Sequence, residues 1–144
     1  MKLNMAFISI NLLFCISCTT ESSTETFIKI VDISPEPGTH LTLADTITAT
    51  LDYSVSDEDK SDIGYGINIL FVAKPEYGGY VPYSWSGFQF QSRRDKITID
   101  FPLSEDSVDA YKINDPIVLY FKLEKRISNI SSEIIASTDE VAYE

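Results

Sequence analysis

Histidine and cysteine are scarce in this sequence, which has one histidine and two cysteines among its 144 residues. Zinc sites are built from several such ligands, so these counts exclude them. The one histidine, His40, lies in a connection rich in proline and glycine, and the chain contains neither a G-x-S-x-G nucleophile elbow nor a glycine-rich phosphate loop. We therefore expect His40 to be an exposed loop residue, and we expect no cofactor.

Basic residues are also few, with 11 lysines and arginines against 22 aspartates and glutamates, a net charge of −11 and a pI of about 4.4. An acidic surface repels the phosphate backbone of nucleic acids, so we expect no nucleic-acid partner. The same charge argues against electrostatic binding to anionic lipid headgroups.

The chain lacks a long apolar run. Its most apolar segment, Met5 to Ile16, has twelve residues, which as a helix reach about 18 Å. A bilayer core is about 30 Å thick. The segment is therefore too short to span a membrane, but it has the length of the apolar region of a signal peptide.

The residues that end this segment, Cys15-Ile16-Ser17-Cys18, resemble a bacterial lipobox, in which the last cysteine becomes the lipidated first residue of the mature protein. The resemblance implies a signal peptide over 1–17 and a lipid on Cys18 that anchors the protein to a membrane of the bacterial envelope. The polar residues from Thr19 to Thr26 predict a solvated tether over 18–26. Ordinary secretion with cleavage at the same bond is the alternative. Cleavage there also removes Cys15, so no intramolecular disulfide is possible in the mature chain.

The remaining chain, 27–144, is predicted to be one domain made of strands, because hydrophobic residues alternate with polar ones and no segment has a sustained helical stripe. In the segment 46–55 the predicted inward residues are every second one from Ile47 to Val55. Loops are predicted at 56–62 and 125–132, and a helical turn at 104–110. The predicted strands are 27–33, 46–55, 65–72, 80–91, 95–101, 117–123 and 133–143.

About seven short strands separated by turn residues are typical of a β-sandwich, and a closed barrel is the alternative. The segment Ile33 to Gly38, followed by Thr46 to Leu51, resembles the opening of bacterial immunoglobulin-like domains. The residues from Ile117 to Ser132 resemble the penultimate strand and loop of that family. The resemblance implies an immunoglobulin-like β-sandwich and does not by itself imply a function.

Aromatic residues form the first candidate binding site, at Tyr77, Tyr80, Tyr83 and Trp85. Strict alternation would place Tyr83 and Trp85 together on the face opposite Phe88 and Phe90, as an exposed platform for a sugar ring or a protein partner. A β-bulge at Ser86-Gly87 is the alternative, because one extra residue there would turn all four aromatic side chains toward the core. We favour the bulge, because large aromatic side chains are usually buried.

Acidic residues in the loop 56–62 form a second candidate, a calcium site at Asp57, Asp59 and Asp62. An EF-hand loop that started at Asp57 would need glycine at its sixth position and glutamate at its twelfth, and the chain has Asp62 and Asn68 there. The loop is therefore expected to be a solvated acidic segment without a metal.

Paired carboxylates that hydrolyse glycosides remain an enzymatic alternative among so many acids. A small sandwich with short loops offers little cleft for such a reaction. We therefore expect a non-enzymatic lipoprotein of the envelope, a binding or accessory module for a protein or glycan partner that the sequence does not identify. A carbohydrate-binding module that uses the aromatic platform is the alternative.

Overall fold

A computed structural model describes residues 25–83 and 90–144, which contain eight strands and one short helix. None of the helical structure in these two ranges is long and apolar enough to cross a membrane. The elements in chain order are β1 (Phe27–Ser34), β2 (Thr46–Ser54), β3 (Tyr65–Val72), β4 (Tyr80–Tyr83), β5 (Arg94–Pro102), α1 (Glu105–Ala110), β6 (Val118–Ser128), β7 (Ser131–Ser137) and β8 (Val141–Ala142).

The strands form two antiparallel sheets. The first has the order β1-β2-β5, and the second has the order β4-β3-β6-β7, with β8 paired to the start of β6. The predicted all-β fold is therefore confirmed at the level of a β-sandwich-like arrangement of two sheets.

Alternation explains which face of each strand is buried. On β2 the odd-numbered residues from Ile47 to Tyr53 are buried, and Val55 just beyond the strand continues this row. On β6 the residues Leu119, Phe121 and Leu123 are fully buried. The strand β3 lies between β4 and β6, and it carries buried residues on both faces near its end, as expected for an interior strand.

The inner faces of the two sheets share one hydrophobic core. Phe71 of β3 meets Phe101 of β5 across the sheets, with ring centroids 4.7 Å apart. Contacts between aromatic rings at this distance add to the free energy gained by burying the rings.

One loop prediction and one strand prediction are wrong in part. The segment predicted as a loop at 125–132 is mostly strand, because β6 continues to Ser128 and β7 begins at Ser131. The last predicted strand, 133–143, is divided into β7 and β8. The helical turn predicted at 104–110 is confirmed as α1.

Candidate functional site

Tyrosines occupy the outer face of the five-stranded sheet. Tyr80 pairs with Val72, and Tyr120 pairs with Leu70, so both lie on the face opposite the buried Phe71 and Phe121. The rings of Tyr80 and Tyr120 meet edge to face, with centroids 5.0 Å apart and planes at 84°. This is a favoured arrangement for two aromatic rings.

A hydrogen bond orients Tyr80. Its hydroxyl donates to the carboxylate of Glu140, which precedes β8. This hydrogen bond, followed by the negative charge of Glu140, raises the pKa of Tyr80 above its ordinary value. The Tyr80 side chain is nevertheless 47% exposed.

Tyr77 lies in the turn between β3 and β4 and is 58% exposed. The next two residues, Gly78 and Gly79, have positive φ angles of 64° and 70°, which favour glycine. The ammonium group of Lys112 lies 5.8 Å from the Tyr77 ring centroid, and that of Lys122 lies 5.8 Å from the ring of Tyr120. We call Tyr77, Tyr80 and Tyr120 the tyrosine surface.

Only some of the predicted aromatic site residues lie within the part of the chain that the structure describes. Tyr77 and Tyr80 are exposed as a platform requires. The backbone of Tyr83 pairs with Ile69, whereas the Tyr83 side chain, Trp85 and the predicted bulge at Ser86-Gly87 lie outside the described residues. The platform of Tyr83 and Trp85 therefore stays a prediction.

Two further aromatic residues have clear positions. Phe90 packs on the rings of Tyr53 and Tyr65, with centroids 4.7 and 6.1 Å apart. Tyr120 was missed as a site residue by the sequence reasoning. Its position on the outer face of β6 was readable from alternation, but its neighbour Tyr80 is forty residues away in the sequence and comes from a different strand.

The acidic loop forms bonds within the protein. Asp57 pairs with Arg93 at 2.6 Å, and Asp59 accepts hydrogen bonds from Thr26 at 2.5 Å and Ser56 at 3.3 Å. Asp59 also lies 3.9 Å from the ammonium group of Lys125.

Asp62 in the same loop is exposed. Across residues 25–83 and 90–144, no three histidine, cysteine or acidic residues are grouped in a way that would hold a metal ion. The loop therefore ties the start of β1 and the side of β6 to the end of β2.

A cleft of about 420 Å³ opens at one end of the two sheets. We call it the end cleft. Its walls come from the β1–β2 connection, the β5–β6 connection that contains α1, and the last residues of the described chain. Its apolar lining consists of Leu41, Leu43, Leu103, Val108, Ile117 and Tyr143, and its polar lining of His40, Thr42, Asn114, Asp115 and Glu144. The volume is in the range typical of small-molecule sites.

Backbone hydrogen bonds hold the walls of the end cleft in place. Leu41 donates to the carbonyl of Glu144 at 3.2 Å, and Glu144 donates to the carbonyl of Thr39 at 3.1 Å. Leu103 donates to the carbonyl of Asp45 at 2.8 Å. The cleft therefore has fixed walls built from segments that are distant in the sequence.

Two titratable groups beside the end cleft have shifted pKa values. Burial raises the pKa of the Tyr143 phenol to about 12, and its hydroxyl donates to the carbonyl of Pro35 at 3.0 Å. The backbone N–H of Thr42, followed by its hydroxyl, lowers the pKa of the Asp45 carboxyl. These two bonds, 2.6 and 2.8 Å long, close the turn that carries Leu43.

His40 is exposed at the rim of the end cleft, as predicted for a loop residue. The cleft itself differs from the expectation that short loops would leave little concave surface. The β5–β6 connection folds into α1 and turns back toward the sheets, which produces the cleft wall. Apart from His40, no residue of this cleft was a candidate in the sequence, because its side chains come from two connections and the last residues of the chain.

No protein-family model matches the chain, and no curated protein is significantly similar to it. The geometry of the tyrosine surface and of the end cleft therefore carries the functional conclusions.

Proposed function

We propose that this protein is a non-enzymatic binding module of the bacterial envelope, exported and lipid-anchored, that binds carbohydrate on its tyrosine surface. The observation that carries the proposal is the exposed ring of Tyr80, which meets Tyr120 on the outer face of the sheet, together with the exposed Tyr77 in the turn before β4. Contiguous exposed apolar surface on a folded protein commonly marks a binding site.

Carbohydrate fits this surface chemically. A sugar ring has an apolar face of C–H groups, which packs against an aromatic ring, and a rim of hydroxyls, which require hydrogen-bonding partners. On the tyrosine surface the rings lie beside the charged side chains of Glu140, Lys112 and Lys122. These groups would donate to or accept from sugar hydroxyls.

The strand order supports an immunoglobulin-like assignment within this proposal. In immunoglobulin domains, strands A, B and E lie on one sheet and strands C, F and G on the other. Here β1, β2 and β5 form one sheet, and β3, β6 and β7 lie together in the other. The short β4 beside β3 takes the place of an added strand on the C edge.

The lipid anchor is the second part of the proposal, and it depends on the lipobox-like residues that end at Cys18. The first strand begins at Phe27, nine positions after Cys18, which is consistent with the polar tether predicted over 18–26. Stable anchoring needs more than one acyl chain, because each buried methylene contributes only about 0.8 kcal/mol.

A glycan array with the purified domain tests the carbohydrate proposal. We expect saturable binding to at least one glycan and a loss of about tenfold or more in affinity for Tyr80→Ala and for Tyr77→Ala, the usual effect of truncating a central aromatic contact. Phe27→Ala is the matched control, because Phe27 is an aromatic residue of β1 in the other sheet. It should bind like the wild type.

Equal binding by Tyr80→Ala and the wild type would contradict the tyrosine surface as the site. An array without any bound glycan, together with a protein partner whose binding is lost in Tyr80→Ala, would replace carbohydrate by a protein ligand on the same surface.

Mass spectrometry of the protein from its membrane fraction tests the anchor. We expect a mature protein that starts at Cys18 and carries acyl chains. We also expect Cys18→Ala to be released from the membrane or left unprocessed. An unmodified Cys18 in the mature protein would contradict lipidation and would favour ordinary secretion.

A further inference from the structure

The end cleft combines an apolar interior with an acidic mouth. Leu103 and Tyr143 are buried at its base, whereas Leu43 at the rim is 47% exposed. A ligand that covered this exposed leucine and the apolar base beside it would remove apolar surface from water, which is favourable. The apolar part of a ligand would therefore bind against these residues.

Apart from His40 and the buried Tyr143, the titratable side chains that line the cleft are carboxylates. Asp115 and Glu144 line the cleft, and no lysine or arginine is among its described lining residues. Asp45 is in the adjoining turn, where its lowered pKa keeps it ionised. The helix α1, which contributes Val108, has Glu105 and Asp106 in its first turn and no basic residue in its last turn. Low-dielectric walls concentrate the field of such charges at the opening of a cleft.

We propose that the end cleft is a binding site for a small organic cation, an ammonium compound with a compact apolar body. The apolar body would lie on the leucine and tyrosine lining, and the ammonium group would be at the mouth between Asp115 and Glu144. This site is separate from the tyrosine surface, so the proposal goes beyond the proposed function and does not depend on it.

Three probes of similar shape test the ligand class. Phenethylammonium, phenethyl alcohol and phenylacetate share one aromatic body and differ in charge. Titrations followed by NMR of methyl groups should show saturable shifts at Leu43, Leu103 and Ile117 for the ammonium compound, weaker binding for the alcohol and the weakest for the carboxylate. Ammonium ion without an apolar body should leave these methyl signals unchanged.

Variants at the rim test the placement of the charge. The paired change Asp115→Asn with Glu144→Gln should weaken phenethylammonium binding about tenfold or more, since hydrogen bonds to charged groups are among the stronger ones. Leu43→Arg should weaken it to a similar extent by adding a positive charge at the mouth. These side chains are exposed, so the fold should tolerate the changes, and a thermal unfolding curve verifies this.

Two matched controls are available in this chain. Glu58→Gln removes one negative charge from the exposed β2–β3 loop at the opposite end of the sheets, and Ile134→Arg places the same new charge at an apolar position that is 53% exposed on β7. Both should bind phenethylammonium like the wild type. Binding of phenylacetate as tight as that of the ammonium compound, absence of saturable binding, or wild-type affinity in the rim variants would each overturn the proposal.

Discussion

Tyr143 shows how one side chain connects the core to the end cleft. Its ring is 2% exposed and belongs to the hydrophobic core, and it also lines the cleft. Its hydroxyl donates to the carbonyl of Pro35 just after β1. A buried phenol needs such a partner, because an unpaired polar group in the interior costs about 1–3 kcal/mol. The residue thus fixes the last strand against the β1–β2 connection.

Asp45 gives a prediction about pH. The backbone N–H and the hydroxyl of Thr42 both donate to its carboxylate, so its folded-state pKa lies below its ordinary value. A lowered carboxyl pKa stabilises the fold above the ordinary value, about 4, and this contribution is lost as the pH falls through the lower folded-state pKa. The asparagine of Asp45→Asn keeps an oxygen that can accept these hydrogen bonds, but it has no carboxyl group to titrate. The variant therefore lacks this pH-dependent contribution to stability.

We therefore expect the free energy of unfolding of the wild type to fall relative to that of Asp45→Asn as the pH is lowered from neutrality to below about 4. Urea titrations at a series of pH values measure the difference. Asp62→Asn, which changes an exposed carboxylate at the opposite end of the sheets, should follow the wild type. Parallel curves for the wild type and Asp45→Asn would contradict a stabilising role for the ionised carboxylate.

Just after α1 the backbone adopts the left-handed conformation, which is unusual for a residue other than glycine. Lys112 has a φ of 53°. Lys112 donates to the carbonyl of Asp109 at 3.3 Å, and Ile113 donates to the carbonyl of Val108 at 3.0 Å. This pair of bonds is the Schellman motif, in which the left-handed residue is usually glycine. Through Ile113 and Asn114 the motif directs the chain from α1 back to the sheet.

Substitutions at Lys112 test this reading. Lys112→Gly should be more stable than Lys112→Ala by about 1 kcal/mol, because the left-handed conformation costs a residue with a Cβ about 1–2 kcal/mol. Both variants remove the contact with Tyr77, so the comparison isolates the backbone term. Chemical denaturation measures it, and equal stability of the two variants would show that this end of α1 is not strained.

A substitution on the core face of β6 should reduce the free energy of unfolding by a larger amount. Phe121 is 0% exposed and lies mid-strand. Phe121→Ala should cost about 3–5 kcal/mol, a large part of a typical total of about 5–15 kcal/mol. Lys122→Ala, on the outer face of the same strand, should cost less than about 1 kcal/mol. A loss below about 1 kcal/mol for Phe121→Ala in a denaturant titration would contradict the assignment of faces.

The strands that alternation predicted well are those with one fully buried face. The segments 46–55 and 117–123 have such a face, and their inward residues are the buried ones. The error at 125–128 has a physical cause. Lys125 and Arg126 interrupt the apolar row of β6 where the strand extends beyond the core, and the strand is maintained by backbone pairing with Glu133 and Ser132 of β7. Ile127 just beyond them is 56% exposed, so this hairpin lacks the alternation of buried and exposed residues that predicts a strand.

At the scale of the whole molecule, the two candidate sites differ in how far the sequence reveals them. The exposed tyrosines were predictable in part, because the glycine-rich turn beside Tyr77 and the clustered aromatics are local features. The end cleft was not, because Leu43, Val108 and Tyr143 come together only when the two sheets stack and the β5–β6 connection folds over their end. Local patterns predict strands, whereas clefts depend on long-range packing.

The two sheets also bury two tyrosines near opposite ends of the molecule. Tyr53 donates its hydroxyl to the carbonyl of Ser92 at 3.3 Å and packs on Phe90, whereas Tyr143 is beside the end cleft. Burial raises the pKa of Tyr143 to about 12, and it is the main cause of the rise in the pKa of Tyr53 to about 12. The two phenols therefore report separately on the packing of the two ends.

These pKa values predict how the fold responds to alkali. A phenol whose pKa is raised by folding stabilises the folded state fully below its ordinary pKa of about 10, and this stabilisation is lost as the pH rises through the folded-state value. We expect the free energy of unfolding to decline as the pH rises from about 10 toward that value, and the phenols of Tyr53 and Tyr143 to ionise only as the pH approaches about 12. Ultraviolet absorbance of tyrosinate follows the ionisation. Tyr53→Phe and Tyr143→Phe should each remove one late step, and a single transition of all tyrosines near pH 10 in the folded wild type would contradict the burial of both rings.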